Sequence, residues 1–368
     1  MKVTFPHMGN MWIPVKTMLE YVGLEVIVPP VPSKKTLSLG TKYSPATACL
    51  PLKINIGNFI EAFELGADTI VMGGGWGPCR FGYYAEVERE ILTDLGYKFN
   101  MIVLEAPDNK LSEFLKQVRV LAGDHSWFEV VRAIRLAWFK ARAVDIVEEE
   151  AERWRSRERV YGGVDRTFTE ALAKIDAAKT RLEIDGAVRW AQNAYRQLDL
   201  DYYKSVLRIG LVGEIYTVLE PFVNLEIERR LGRLGVEVSR SIYLSEWIND
   251  HLFGGFLRLP GAREARRLSS PYLNYFVGGH GRETVGSTVK FAQENFDGVI
   301  QIGPLTCMPE IVAQSVLSKV SQDLGIPTMT LYFDEHSGEA GLVTRLEAFV
   351  DLLSRRRARR KMSEVQMQ

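Results

Sequence analysis

The chain has 368 residues, with 46 Lys and Arg against 46 Asp and Glu, so its formal net charge is zero. Hydrophobic residues make up 46% and charged residues 25%, which excludes a disordered or collagen-like chain and predicts two or three soluble domains. The balanced charge argues against nucleic acid as a partner, because counterion release requires a net basic face. We also expect no membrane segment, since no apolar run approaches the roughly 20 residues of a spanning helix.

Residues 1–108 carry alternating strand and helix signals. The predicted strands are Lys2–Phe5, Leu24–Val28, Thr69–Met72 and Phe99–Leu104. The predicted helices are Ile13–Val22, Pro51–Leu65 and Tyr84–Leu95, with a polar loop leading to Cys49. Strands separated by helical stretches of about 10 to 15 residues are typical of βαβ units, so this segment predicts a parallel sheet.

The rest of the chain divides into a helical part and a second alternating part. Residues 109–205 are rich in Ala, Glu, Arg, Lys and Leu and poor in Pro, which predicts a helical insertion. In residues 206–368 the predicted strands are Leu207–Val212, Val236–Leu244, Gly298–Ile302 and Thr328–Phe333, and the predicted helices are Asn224–Leu234, Pro309–Leu324 and Thr344–Leu353. We therefore predict an α/β fold with two Rossmann-like parallel-sheet domains and a helical insertion between them.

The chain has three cysteines, Cys49, Cys79 and Cys307. A low and odd number excludes a disulfide framework and favours a reducing cytoplasm. Each cysteine lies in a loop rich in Pro or Gly that leads into a predicted helix. Helix N-termini carry partial positive charge, and ligands of open parallel sheets collect at the carboxyl ends of strands. We therefore predict that the three thiolates converge in a metal site.

Several metals are compatible with three converging thiolates. The cysteines lie much farther apart than the close pairs of a zinc knuckle or ribbon. A structural zinc would need a fourth ligand, and His7, His280 and His336 are candidates. An iron–sulfur cube held by three thiolates would leave one iron open for chemistry. Three unrelated buried cysteines remain the simplest alternative, because free Cys is a common small core residue.

Several stretches of this sequence share the pattern of one known family. They are Ala48–Lys53, Gly77–Gly82, Gly213–Tyr216, Gly278–Gly281, Pro304–Glu310, Asp334–Glu339 and Thr344–Glu347. The chain resembles the 2-hydroxyacyl-CoA dehydratase component family, in particular its acyl-CoA dehydratase activase-related or CoA-protein activase branch. The resemblance spans both predicted α/β domains but not the helical middle segment.

The resemblance implies a function as well as a fold. It implies a 4Fe-4S cluster held by Cys49, Cys79 and Cys307, and a separate ATPase activator that delivers a low-potential electron. It also implies an oxygen-sensitive, anaerobic protein acting on a small molecule, in the family an acyl-CoA, although no CoA-binding signature is found. The chain contains no Gly-Lys dipeptide, which excludes a Walker A loop, so we interpret it as the electron acceptor and not the ATPase. Three cysteines do not support the larger double-cubane cluster of some relatives.

Further residues are predicted to surround the cluster. His280 and Glu214 are the candidate catalytic proton donors, and the candidate environment residues are Arg80, Tyr216, Glu335 and His336. A surface arginine, a turn histidine or capped loops would explain the same residues without a site. Two other functions stay open: a non-catalytic iron–sulfur electron carrier, and a zinc-binding α/β protein. Most soluble oligomers are symmetric, and homodimers are the commonest among them, so a homodimer is the expected assembly if the chain associates.

Overall fold

The computed structural model describes residues 1–75, 77–104, 111–252 and 262–366, without the side chains of 111–114, 247, 250–252, 361 and 364–366. Within these ranges the chain forms two four-stranded sheets, with strand orders β2-β1-β3-β4 and β6-β5-β7-β8. Every strand pair is parallel. The predicted α/β class with two Rossmann-like parallel-sheet domains is therefore confirmed.

The first sheet is built from residues 2 to 104. Its strands are β1 (Lys2–Thr4), β2 (Glu25–Val26), β3 (Thr69–Gly73) and β4 (Asn100–Leu104). Its helices are α1 (Trp12–Tyr21), α2 (Lys34–Tyr43), α3 (Leu50–Glu64) and α4 (Tyr84–Asp94). The interior strand β3 is buried from Thr69 to Met72, as expected for a strand covered on both faces. The predicted domain boundary at residue 108 lies outside the described residues.

Helix α2 corrects the prediction of a polar loop before Cys49. Ser33 caps this helix, and Ser33 and Thr36 form a reciprocal capping box. Two glycines let α2 and α3 approach closely: a Cβ on Gly40 would lie 1.7 Å from the Lys53 carbonyl oxygen, and a Cβ on Gly57 would lie 2.0 Å from the Thr36 carbonyl oxygen. The sequence did not predict α2, because most of its residues are polar and its apolar face is short.

Four helices follow the first sheet: α5 (Leu111–Ala122), α6 (Trp127–Arg155), α7 (Gly163–Ala177) and α8 (Arg181–Arg196). Capping boxes at Ser126 and Thr180 fix the starts of α6 and α8. Helix α6 packs against α1, α7 and α8 and also reaches the second sheet. The helical segment therefore forms a shared wall along both sheets.

The second sheet repeats the plan of the first. Its strands are β5 (Leu207–Gly213), β6 (Val236–Arg240), β7 (Gly298–Pro304) and β8 (Thr328–Phe333). Its helices are α9 (Ile215–Leu219), α10 (Ile227–Arg233), α11 (Leu244–Leu252), α12 (Ala262–Ser269), α13 (Gly281–Gln293), α14 (Met308–Leu324) and α15 (Glu339–Gln366). Helix α13 begins at Gly281, where the sequence predicts a flexible loop. None of the helices in the described part of the chain combines the length and apolar character needed to span a bilayer.

The carboxyl ends of the two sheets face each other. After β1, the ring Nδ1 of His7 lies 2.8 Å from Glu220 Oε2, and the backbone N–H of Gly9 donates to the same oxygen. In the first turn of α3, the buried ammonium of Lys53 donates to Glu335 Oε1 at 2.6 Å, and Glu335 follows the end of β8. These polar contacts, largely shielded from water, bring the loops that follow the strands of both sheets into one region.

Candidate functional site

All three cysteines occupy the N-cap position of a helix at this junction. Cys49 precedes α3, Cys307 precedes α14, and Cys79 precedes a 3-10 helix (Arg80–Tyr83) that leads into α4. None of these thiols makes a side-chain capping hydrogen bond. The partial positive charge of two long helices is therefore directed at the loops that carry the thiols.

Contacts between the loops bring the cysteines together. The Arg80 guanidinium donates to the Thr47 carbonyl oxygen at 2.9 Å, and to the carbonyl and Oγ1 of Thr306 at 3.1 and 2.9 Å. A Cβ on Gly278 would lie 3.0 Å from the Cys79 backbone nitrogen. Arg80 thus ties the Cys49 and Cys307 loops to the loop that carries Cys79.

The electrostatics of the three thiols are coupled. Burial raises the pKa of Cys49, Cys79 and Cys307, and the Glu214 carboxylate raises each of these pKa values further. The charge of Cys49 raises the pKa of Cys79, and the charge of Cys79 raises the pKa of Cys307. Neighbouring thiols therefore lie within electrostatic reach of each other. In 1–75, 77–104, 111–252 and 262–366, no group of three His, Cys, Asp or Glu side chains has the spacing to hold a single metal ion.

Tyr84 is a direct neighbour of one thiol that the sequence did not single out. Its buried hydroxyl is hydrogen-bonded to Cys49 Sγ, and its ring packs edge-on against Phe81 with centroids 5.3 Å apart. Phe81 in turn closes over the glycine-rich end of β3, where a Cβ on Gly75 would lie 2.8 Å from its ring. The aromatic pair therefore supports the Cys49 side of the site.

Glu214 lies where the sequence placed it, just past β5, but it also has a structural role. Its carboxylate caps α9 by accepting from the backbone N–H groups of Tyr216 and Thr217 and from the Thr217 hydroxyl, each at 2.9 Å. Burial raises its pKa, and these three donors oppose the shift. Glu214 is thus held rigidly beside the thiols as a hydrogen-bond acceptor.

The other predicted environment residues differ in exposure. Glu335 is bound to Lys53; burial alone would raise its pKa, but the hydrogen bond and charge of Lys53 outweigh burial and lower it. Tyr216 is buried in the core of the second domain, and its hydroxyl has no hydrogen-bond partner among the described residues. His336 is exposed, and its backbone N–H donates to Asp334 Oδ1 at 3.0 Å.

His280 connects the thiol loops to a cavity. It is the N-cap residue of α13 and lines a cavity of about 360 Å³ between α6, β6 and α13. The glycines on either side of it pack on the loop of Cys307: a Cβ on Gly279 would lie 3.2 Å from the Pro309 ring, and one on Gly281 would lie 2.6 Å from the Pro309 carbonyl oxygen. A molecule in the cavity would therefore approach the thiol site at His280.

Two buried charged residues near the thiols were missed at the sequence level. Lys53, one turn into α3, also donates to the Ala46 carbonyl oxygen at 3.2 Å and so steadies the loop before Cys49. Glu310 donates its backbone N–H to Cys307 and accepts from Thr284 and Gln301; burial raises its pKa to about 8. Both residues end stretches that carry the family resemblance, which is the only signal that could have found them.

Comparison with known proteins adds no assignment. No protein-family model matches the chain, and no curated protein matches it. The functional interpretation therefore depends on the residues and geometry described above.

Proposed function

We propose that this chain is a 4Fe-4S protein that receives a low-potential electron from an ATP-dependent activator and uses it on a small substrate. The observation that carries the proposal is the convergence of Cys49, Cys79 and Cys307 from three loops of two domains. Three loop contacts made by Arg80 hold this arrangement. The resemblance to the 2-hydroxyacyl-CoA dehydratase components supports the same cofactor and partner.

The residues at the junction fit such a cluster chemically. Thiolates are the usual ligands of iron–sulfur clusters, and iron and sulfide placed between them require wider spacing than one metal ion does. The N-termini of α3 and α14 offer backbone N–H groups and positive potential, which suit the anionic sulfur atoms. Cys49, Cys79 and Cys307 would hold the cluster, which when bound would supply one-electron transfer and an open coordination position.

The chain's own residues would position and shield this centre. Tyr84 holds Cys49 by a hydrogen bond, and Lys53 holds the loop in front of it. Glu214, fixed by three donors, presents a carboxylate beside the thiols. His280, which lines the cavity, would give a proton to a bound molecule.

Exposed aromatic residues near Cys79 support a protein partner. Tyr83 is 74% exposed and Phe276 is 53% exposed. The Phe276 ring lies against the Cys79 loop, where a Cβ on Gly77 would be 2.9 Å from it. Exposed apolar side chains grouped together mark interaction surfaces, and aromatic residues are enriched in them. A docked electron donor would reach the thiol site by this face.

The cavity beside His280 favours an enzyme over an electron carrier. A carrier exchanges electrons through its surface and needs no internal space for a substrate. A cavity of about 360 Å³ is within the range of roughly 300–1,000 Å³ typical of ligand pockets. We therefore place catalysis ahead of pure electron transfer in this proposal.

Anaerobic purification tests the cofactor. We expect a brown protein with about four iron and four sulfide per chain and an EPR signal after reduction. Cys307→Ala should lose most of the iron, whereas Ser33→Ala, which removes the cap of α2 far from the thiols, should keep it. A colourless protein loaded with zinc would overturn the proposal in favour of a zinc-binding α/β protein.

A turnover assay separates the enzyme from the carrier. The reduced, cluster-loaded protein is supplied with an ATP-dependent activator and candidate small molecules, and products are followed by mass spectrometry. We expect conversion that requires both ATP and the intact Cys307 ligand. If electrons pass to a soluble acceptor while no tested molecule is converted, the carrier function replaces the enzyme.

A further inference from the structure

Strand β7 carries one polar side chain among apolar neighbours. All seven of its residues are buried, and Gln301 is fully buried at its centre. The other side chains of the strand interior, Val299, Ile300 and Ile302, are apolar and need no hydrogen bond. Burying an amide costs free energy unless its polar atoms are paired, so an apolar residue could fill the same space without this cost. The packing of the sheet alone therefore does not explain Gln301.

Both polar atoms of the Gln301 amide are used in a buried network. Nε2 donates to Glu310 Oε2 at 2.8 Å and to the Glu310 carbonyl oxygen at 2.9 Å. Oε1 accepts from the Thr330 hydroxyl on β8 at 2.9 Å, and the Thr284 hydroxyl on α13 donates to the Glu310 carboxylate at 3.1 Å. Gln301, Glu310 and Thr284 are each at most 1% exposed. A satisfied network that is shielded from water holds its members in one arrangement.

This network ends at two groups of the candidate site. Glu310 donates its backbone N–H to Cys307, and the Thr284 backbone N–H donates to the His280 carbonyl oxygen at 2.8 Å. Buried hydrogen bonds from one strand therefore reach the first turn of α14 and the first turn of α13. The proposed cluster ligand and the proposed proton donor are thus connected to the same point of the second sheet.

We propose that Gln301 is a positioning residue that fixes Cys307 relative to His280. It acts through its bonds to Glu310 and, beyond Glu310, through Thr284. The same bonds hold the Glu310 N–H toward the Cys307 sulfur. Hydrogen bonds to the sulfur atoms of an iron–sulfur cluster raise its reduction potential, because they stabilise the negative charge that reduction adds. The effect on a cluster rests on the proposed function, whereas the positioning of the two loops does not.

Residue-resolved amide hydrogen exchange on the iron-free full chain tests the positioning. Gln301→Met keeps the approximate size of the side chain but makes none of these hydrogen bonds. We expect the amides of Thr284 and Glu310 to exchange about tenfold faster in this variant, the order expected for the loss of a buried hydrogen bond. Ile300→Val, a core truncation in the same strand, is the matched control and should leave both amides at the wild-type rate.

Thr284→Val gives an independent version of the same test. It removes one bond of the network from α13, and we expect the Glu310 amide on α14 to exchange faster as a result. This variant keeps the test decisive if Gln301→Met does not fold. Exchange at Glu310 that matches the wild type in the folded variants would overturn the proposal.

The reduction potential of the iron-loaded protein, followed by EPR, separates positioning from a merely structural role. At the same solution potential, we expect Gln301→Met to have a ratio of reduced to oxidised cluster about tenfold lower than the wild type, which equals about 59 mV for one electron. Ile300→Val should keep the wild-type potential. Loss of thermal stability in Gln301→Met with an unchanged potential would overturn the proposed effect on the cluster. If the wild-type chain assembles no cluster, the proposed function fails, and the exchange rates alone decide the positioning.

Discussion

Glu88 is a fully buried acid in the packing between α4 and α3. Its Oε1 accepts a hydrogen bond from Asn55 Nδ2 at 3.0 Å. Its Oε2 and the Asn55 Oδ1 have no partner among the described residues. A protonated carboxyl would let Oε2–H donate to Oδ1, which would satisfy both atoms in one acid–amide pair. Burial raises the pKa of Glu88 to about 8, in agreement with a neutral acid.

The raised pKa has a defined effect on stability. The ordinary pKa is 4.5, so between that value and about 8 the folded protein keeps a proton that the unfolded chain has lost. Stability is therefore greatest below the unfolded pKa and falls as pH rises, by about 1.4 kcal/mol per unit. Over the whole interval this amounts to roughly 5 kcal/mol, since Glu88 is completely buried.

Glu88→Gln tests this reasoning, because a Gln amide supplies the second donor at every pH. Urea unfolding is measured at about pH 5 and about pH 9, and the stability advantage of the variant over the wild type should grow by about 4 kcal/mol between them. Glu90→Gln, an exposed position on the same helix, should show no such growth. Parallel pH curves for Glu88→Gln and the wild type would refute the neutral-acid interpretation.

Two further substitutions test the junction between the sheets. Gly9→Ala should destabilise by about 2 kcal/mol or more, because φ is +50° and a Cβ would lie 2.1 Å from the Leu219 carbonyl oxygen. Gly66→Ala, with φ +95° and open space around it, should show only the smaller backbone cost in the same urea titration. Glu220→Ala should leave three groups without this partner: the His7 ring and the N–H groups of Gly9 and Phe222. It should cost about 1–3 kcal/mol for each of the two buried ones, His7 and Gly9, and a total loss below about 1 kcal/mol would contradict their burial.

Local patterns predicted most of the sheet strands accurately. Thr328–Phe333 matches β8 at both ends, and Thr69–Met72 matches β3 to within one residue. The run of β3 is followed by Gly73, Gly74 and Gly75 and is buried from Thr69 to Met72, and burial on both faces makes such a run easy to recognise. The edge strand β8 is less buried, and its start is marked by Pro327 directly before it. Helix α15 is longer than the predicted Thr344–Leu353, since residues 354–360 are mostly charged and exposed and carry no apolar period.

Some features left weak or ambiguous signals. The capping box of Ser33 and Thr36 favours a helix start, but the polar composition of α2 favours a loop, and the sequence analysis therefore predicted a loop. Gly281 was interpreted as loop because glycines on both sides of His280 resemble a turn, yet Gly281 opens α13 against Pro309. In both cases close packing against a neighbouring element decided the conformation, and that neighbour is distant in sequence.

The sequence by itself determined that three cysteines stand at the starts of helices, two of them (Cys79 and Cys307) just past parallel strands, because loop composition and apolar periodicity are local properties. Only the tertiary structure decided that these loops meet. Arg80 crosses from the first domain to Thr306 in the second, and Lys53 crosses to Glu335. These contacts, the burial of the residues that make them and the cavity at His280 depend on how the two sheets and the helices α5 to α8 are oriented. That orientation is set by many long-range contacts together, so no single stretch of the sequence predicts it.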